Sequence, residues 1–197
     1  MEYNKDSVTL TANVSTEGLV VDNTNYQWHV STTPNFTPSS DTLISGANAR
    51  TYTHSKTFKG VGTYYYRCVV SVEKDGVKTD SIASDYAIVE VTKGTASANI
   101  SMDDYIYGET PSVPRSVSNI SGGTLTYYYN TTRESTGGTE WKNIAPTTLN
   151  AGTYYMYATI AETANFKAGV SNVVEFNVNS KEITKPTVTS EYIYNRT

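Results

Sequence analysis

The chain has 197 residues and a net charge of −4, and only 17% of its residues are charged, against roughly 25% in an average globular protein. It has no basic run to neutralise a phosphate backbone and no stretch near the ~18 consecutive apolar residues of a membrane helix. We therefore expect neither nucleic-acid binding nor membrane insertion. The 17 tyrosines and the many threonines favour strands over helices.

Internal repetition sets the domain organisation. Segment 62–66 recurs at 152–156, an offset of 90, and segments 84–91 and 104–110 recur 87 residues later at 171–178 and 191–197. A repeat near 90 residues has the size of a small β-sandwich. We predict one domain over 1–93, a second over 94–180, and a linker with the first strand of a truncated third repeat over 181–197. Without the rest of its domain, that last strand is expected to be disordered or to pair with a sheet edge of another molecule.

Alternation of apolar and polar residues predicts the strands and the faces they bury. The inward positions predicted for the first domain, in chain order, are Val8, Leu10, Ala12, Val14, Tyr26, Trp28, Val30, Tyr64, Tyr66, Cys68, Val70, Ala87, Val89 and Val91. Those of the second are Leu125, Tyr127, Tyr129, Tyr154, Met156, Ala158, Ile160, Val174, Phe176 and Val178. The pattern predicts an all-β chain with no helix longer than one turn.

The segments 26–31, 44–53 and 62–70 resemble the bacterial immunoglobulin-like tandem repeats of cell-surface and secreted proteins, and segments 126–130 and 149–155 with Trp141 look like another such repeat. The resemblance implies two tandem immunoglobulin-like β-sandwiches of about seven strands each. It also implies that Trp28 packs over the core and that Tyr64 forms a tyrosine corner, a hydrogen bond from the start of a strand back to the chain. Cys68 has no second cysteine to pair with, and we expect a buried small hydrophobe.

Catalytic and metal-binding patterns are weak. The two histidines, His29 and His54, form no zinc-ligand spacing, and His29 is predicted to be an exposed strand residue on the opposite face from Cys68. Asp103 and Asp104 are neighbours rather than a paired acid and base, and with Glu109 they lack a calcium-loop spacing. We predict no enzyme activity, no metal and no cofactor.

The outward tyrosines are the one candidate binding surface, because neighbouring residues on a strand point to opposite faces. Exposed tyrosines can stabilise a sheet through cross-strand pairs without binding anything, or they can stack on a sugar or contact a protein. Both interpretations stay open for the predicted face, which comprises Gln27, His29, Tyr65, Arg67, Tyr86, Tyr128, Tyr155 and Tyr157.

The resemblance implies a non-catalytic adhesion or spacer segment of an extracellular protein, at the bacterial surface or secreted. The partner expected is a host or plant glycan, another surface protein or a neighbouring repeat of the same chain. A carbohydrate-binding accessory module of a secreted polysaccharide-degrading enzyme is the main alternative, and a decoration domain of a phage particle is a third.

Overall fold

The structure is a computed structural model, and it describes residues 1–15, 22–116 and 122–189. In these ranges the regular structure is strand, apart from one 3-10 turn at Ser40–Thr42, so the prediction of an all-β chain is confirmed. No helix in the described residues is long and apolar enough to cross a membrane. The strands are β1 (Val8–Thr11), β2 (Asn23–Ser31), β3 (Thr51–His54), β4 (Gly62–Lys74), β5 (Val77–Lys78), β6 (Ile82–Ala83), β7 (Ala87–Val91), β8 (Gly94–Thr95), β9 (Ile100–Ser101), β10 (Tyr105–Ile106), β11 (Arg115–Ser116), β12 (Leu125–Asn130), β13 (Thr139–Glu140), β14 (Gly152–Ile160), β15 (Phe166–Lys167), β16 (Gly169–Val170) and β17 (Val174–Asn179).

The chain divides into two compact units. Unit 1 comprises residues 1–97, 120–124 and 160–169, and unit 2 comprises 98–119, 125–159 and 170–197. Each unit draws on more than one chain segment, and the domain limits 93/94 and 180/181 stay a prediction.

Unit 1 is a β-sandwich with the strand pairing of an immunoglobulin-like domain. One sheet pairs β1 with β3, and the other places β4 between β2 on one side and β5, β6 and β7 on the other. Its core takes side chains from both sheets, and the alternation predicted for β4 and β7 is confirmed. Val14 is an exception: β1 ends at Thr11, and the Val14 side chain is 40% exposed rather than inward.

Unit 2 has a larger sheet in the order β10, β17, β14, β12, β13, with β16 also pairing with β14, and a second sheet of β9 and β11. Met156, Ala158, Phe176 and Val178 form its core with Ile100, Met102, Tyr105 and Leu149. The inward alternation predicted for β14 and β17 is therefore confirmed, with one exception at Tyr157 that is described below.

A tyrosine corner closes each unit. The Tyr64 hydroxyl donates to the Gly60 carbonyl at 2.8 Å, and the Tyr154 hydroxyl donates to the Asn150 carbonyl at 3.1 Å, in each case four residues back. Trp28 is buried and its Nε1 donates to the Ala49 carbonyl at 2.9 Å. The roles predicted for Trp28 and Tyr64 are confirmed.

The C-terminal segment 181–189 is exposed and has no regular secondary structure. The predicted first strand of a third repeat, at 191–197, lies outside the described residues.

Candidate binding face

A cluster of aromatic rings around Arg67 lies on the outer face of the larger sheet of unit 1. Tyr65 and Tyr86 meet edge to face, with ring centroids 5.4 Å apart. The Arg67 guanidinium carbon lies 5.8 Å from the Phe36 ring centroid and 5.9 Å from that of Tyr86. These distances are within the range of cation–π attraction. We call Phe36, Tyr65, Arg67, Tyr86 and Ile88 the Arg67 face.

Strand register explains why these side chains meet. Tyr65 and Arg67 are two residues apart on β4 and so point the same way, and Ile88 of β7 is the cross-strand partner of Tyr65. Tyr86 is 38% exposed and Ile88 is 58% exposed, so part of the cluster is accessible. The Arg67 Nη1 donates to the Ser84 carbonyl at 3.3 Å, while its Nε is buried with no hydrogen-bond partner in the described residues. The guanidinium thus lies beside two aromatic rings and makes one hydrogen bond to the backbone.

Two predicted members of the face hold a loop instead. His29 is only 6% exposed, so the prediction that it is an exposed strand residue is wrong. The loop around the Ser40–Thr42 turn covers it: the His29 Nδ1 hydrogen-bonds the Thr42 hydroxyl at 3.1 Å, and the His29 backbone bridges to Leu43. The Gln27 amide donates to the carbonyls of Ile44 at 2.9 Å and Trp28 at 3.0 Å. Both side chains are therefore occupied in anchoring this loop.

The corresponding face of unit 2 is partly covered. Tyr157 is 3% exposed, so its predicted place on an accessible face is wrong. Its ring stacks on Tyr128 with centroids 5.4 Å apart, and its hydroxyl accepts a hydrogen bond from the Gly138 backbone at 3.2 Å. The Asn130 amide donates to the carbonyls of Glu134 and Thr136, which fixes the loop that covers Tyr157. Tyr128 and Tyr155 are half-buried.

The buried ionisable groups of unit 1 have structural partners. His54 is fully buried between the rings of Phe58, Tyr64 and Tyr66, and its Nδ1 hydrogen-bonds the Tyr66 hydroxyl. The His54 Nε2 makes no hydrogen bond of normal geometry in the described residues. The Phe58 backbone is a polar group that interacts only weakly with the imidazole. Burial lowers the pKa of His54 and raises that of the Tyr66 hydroxyl, so both groups stay neutral.

Cys68 is free and fully buried, and burial raises the pKa of its thiol, which is the opposite of what a nucleophile needs. Three or more His, Cys, Asp or Glu residues placed to hold a metal ion are not found in the described part of the chain. Asp103 accepts two hydrogen bonds from the Arg115 guanidinium at 2.8 and 3.2 Å, and Asp104 accepts one from the Asn177 backbone at 2.7 Å. Both carboxylates have structural partners, so neither stands in an open site.

Sequence reasoning missed Phe36 and Ile88. Ile88 lies between the inward residues Ala87 and Val89, so alternation alone could have placed it on the outer face. Phe36 lies in a loop, where no periodicity indicates the direction of a side chain.

Neither a protein-family model nor a curated protein matches the sequence. Among solved structures, the fibronectin(III)-like modules of CbhA from Clostridium thermocellum match with a TM-score of 0.29 and 15% identity, over 96% of this chain and 93% of that one. Immunoglobulin domains 1–5 of Sidekick-1 match with a TM-score of 0.26 and 16% identity, over 88% of this chain and 34% of that one. At these scores the fold rests on the strand pairing and cores described above.

Proposed function

We propose that this chain is a non-catalytic segment of an extracellular bacterial protein, at the cell surface or secreted, which presents the Arg67 face to a partner. The observation that carries the proposal is this face: accessible aromatic and aliphatic groups surround an arginine that is already held in place. Tyr and Arg are the residue types enriched at the centres of protein interfaces. Because the rings restrain the guanidinium before any contact, less conformational entropy is lost on binding.

The buried groups support a non-catalytic role. Nucleophilic or acid–base catalysis needs a reactive group that lies in a cleft and has a pKa shifted from its ordinary value toward the working pH. Here burial raises the pKa of Cys68 and Tyr66 and lowers the pKa of His54, so the uncharged form of each side chain is favoured. The partners of these side chains belong to the core. These groups stabilise a sandwich and leave the exposed face as the place for recognition.

The alternative function is carbohydrate binding as an accessory module of a polysaccharide-degrading enzyme. The edge-to-face arrangement of Tyr65 and Tyr86 favours it, because an exposed ring beside a guanidinium offers both a stacking surface and hydrogen-bond donors to a sugar. The same five residues would serve either function, so the identity of the bound ligand distinguishes adhesion from carbohydrate binding.

A binding screen separates these functions. The full chain is tested on a glycan array, on mucin and on plant polysaccharides, beside Tyr65→Ala and the matched control Tyr155→Ala, which removes a half-buried tyrosine from unit 2. Saturable glycan binding that Tyr65→Ala abolishes and Tyr155→Ala retains would support the carbohydrate-binding alternative. Binding to the protein part of mucin with the same pattern would support adhesion. If neither variant alters binding, or nothing binds, the Arg67 face is sheet structure and a presenting role is contradicted.

A further inference from the structure

Arg67 is the charged member of the Arg67 face, and its guanidinium has no anionic partner in the described residues. The ion pairs of this part of the chain do not include Arg67. A guanidinium has five N–H donors. Here Nη1 donates to the neutral Ser84 carbonyl, whereas Nε is buried without a partner among the described residues. A partly buried cation with unused donors is stabilised when an anion binds to it.

Glu90 is the charged side chain that points outward from β7, and it lies away from Arg67. Its cross-strand partner is Thr63, four residues before Arg67 on β4, which is about 13 Å along the strand. That separation exceeds the ~8 Å over which exposed charges act at physiological ionic strength. The chain as a whole has a net charge of −4, so an anion at this face would be attracted by Arg67 and not by a general positive field.

An apolar platform lies next to Arg67. Tyr65 is two residues from Arg67 on β4, about 7 Å along the strand, and Ile88 is the cross-strand partner of Tyr65. The Tyr65 and Tyr86 rings meet edge to face, and the side chains of Tyr86 and Ile88 are accessible. These three side chains offer a surface comparable in size to one sugar residue, on which the C–H groups of a sugar ring can pack.

The backbone under this platform is already paired, which favours a sugar over an extended peptide. Tyr65 pairs with Ser31 of β2 on one side and with Ile88 of β7 on the other. A peptide that adds to a sheet needs the free backbone groups of an edge strand, and β4 has no free edge at this point. A sugar needs ring faces, hydroxyls and charged donors, all of which the Arg67 face provides.

We propose that the Arg67 face binds a hexuronic-acid residue of an acidic polysaccharide, with its carboxylate on the Arg67 guanidinium and its ring on Tyr65, Tyr86 and Ile88. The inference rests on the proposed function, since it concerns the same face, and it names the chemical class of the ligand. The carboxylate of a hexuronic acid is equatorial and lies near the plane of the sugar ring. The ring can therefore lie flat on the platform while the carboxylate reaches the neighbouring guanidinium, which the axial carboxylate of an α-linked sialic acid does not allow.

Isothermal titration calorimetry of the full chain in about 0.15 M NaCl tests the proposal with two matched probes, an oligogalacturonate and its fully methyl-esterified form. The two probes have the same sugar rings and differ only at the carboxyl group. The acid should bind saturably and at least about tenfold more tightly than the ester, because the ester cannot form a charge-assisted hydrogen bond with Arg67. This comparison uses the native chain, so it does not depend on the folding of a variant.

Three variants locate the site. Arg67→Gln should reduce the affinity for the acid to about that for the ester and leave the affinity for the ester nearly unchanged. Tyr65→Ala should weaken the binding of both probes, because it removes part of the platform. Arg115→Gln is the matched control, since it removes an exposed arginine of unit 2 and should change neither affinity. Urea unfolding of each variant verifies that it is folded.

Equal affinity for acid and ester, lost in Tyr65→Ala, would overturn the hexuronic-acid inference and leave the proposed binding face intact. Acid binding that Arg67→Gln retains would overturn the inference as well. Tighter binding of a sialylated oligosaccharide or of a poly-glutamate peptide at Arg67 would also overturn it, in favour of another acidic ligand. So would the absence of binding to either probe at about 10 mM, and the glycan and mucin screen then decides whether the face has a different partner.

Discussion

Units 1 and 2 share hydrogen bonds to the backbone at corresponding positions and differ in the side chains of their cores. Both have a tyrosine corner of the same spacing and a serine, Ser84 or Ser171, whose hydroxyl accepts a hydrogen bond from a backbone N–H of β4 or β14. The unit 1 core includes Trp28, a free cysteine and the buried His54, and a loop buries His29 on the outer face of the larger sheet. The core of unit 2 is aliphatic, aromatic and methionine-rich. The same hydrogen bonds are thus compatible with cores of different composition. Because both histidines lie in unit 1, the two units should respond differently to acid.

Trp28→Ala should have the largest effect on this comparison. The variant removes a side chain that is 3% exposed, together with its hydrogen bond to Ala49, and should cost about 3–5 kcal/mol of the free energy of unfolding. Phe176→Ala is the matched change in unit 2, with a fully buried ring and a loss of similar size. Urea unfolding followed by near-UV circular dichroism measures both. A loss below about 1 kcal/mol in either variant would contradict the assigned core.

Acid should destabilise unit 1. Burial lowers the folded-state pKa of His54 and His29 below the unfolded value near 6.5, so the unfolded state binds protons first as the pH falls. This contribution to stability is complete above about pH 6.5 and is lost as the pH falls toward the lowered pKa. Urea midpoints at pH 8, 6.5 and 5 measure it.

His54→Phe provides the control for the acid prediction. The variant keeps an aromatic ring beside Phe58 and Tyr64 and removes one of the two titrating histidines, although it leaves the Tyr66 hydroxyl without its partner. It should be less stable than the native chain at pH 8 and lose less stability on acidification. An equally steep loss in the variant would mean that His29 or other groups, and not His54, cause the pH dependence.

The two tyrosine corners should differ in strength. Tyr64→Phe should cost about 1 kcal/mol, because it leaves the Gly60 carbonyl without its donor beside a ring that is 7% exposed. Tyr154→Phe should cost less, since Tyr154 is only half-buried and water can reach its partner. Chemical unfolding of the two variants tests the order, and the reverse order would contradict the burial argument.

The smallest effect concerns a surface ion pair. Arg115 holds the pKa of Asp103 below its usual value through two hydrogen bonds, and both side chains are exposed. Arg115→Ala should raise the pKa of Asp103, as measured by an NMR titration of its carboxyl, and leave the unfolding midpoint nearly unchanged. A large shift of the midpoint would show that the pair supports the β9–β11 sheet.

Alternation predicted the inward residues of β4 and β7 because a strand with one buried face has a strict period of two. The same rule failed for the exposure of His29 and Tyr157, because it gives the side of a sheet and not whether a loop covers that side. The coverage depends on contacts such as His29 with Thr42 and Tyr157 with Gly138, which are distant in sequence. For the same reason nothing in the residue pattern indicated that the Phe36 ring would reach Arg67.

His54 shows a second limit of the alternation pattern. Nothing in the alternation marked His54 as the centre of an aromatic cluster, since its partners come from β4 and from a loop. The repeats in the sequence aligned the strands of the two units but carried no information on contacts between a strand and a distant loop.

Residue-resolved amide hydrogen exchange at pH 8 and pH 5 tests most directly the claim that two units with the same hydrogen bonds to the backbone have chemically different cores. After correction for the intrinsic exchange rates, β2 and β4 of unit 1 should lose protection at pH 5, whereas β14 and β17 of unit 2 should keep theirs. Equal losses in the two units, or a larger loss in unit 2, would contradict the account.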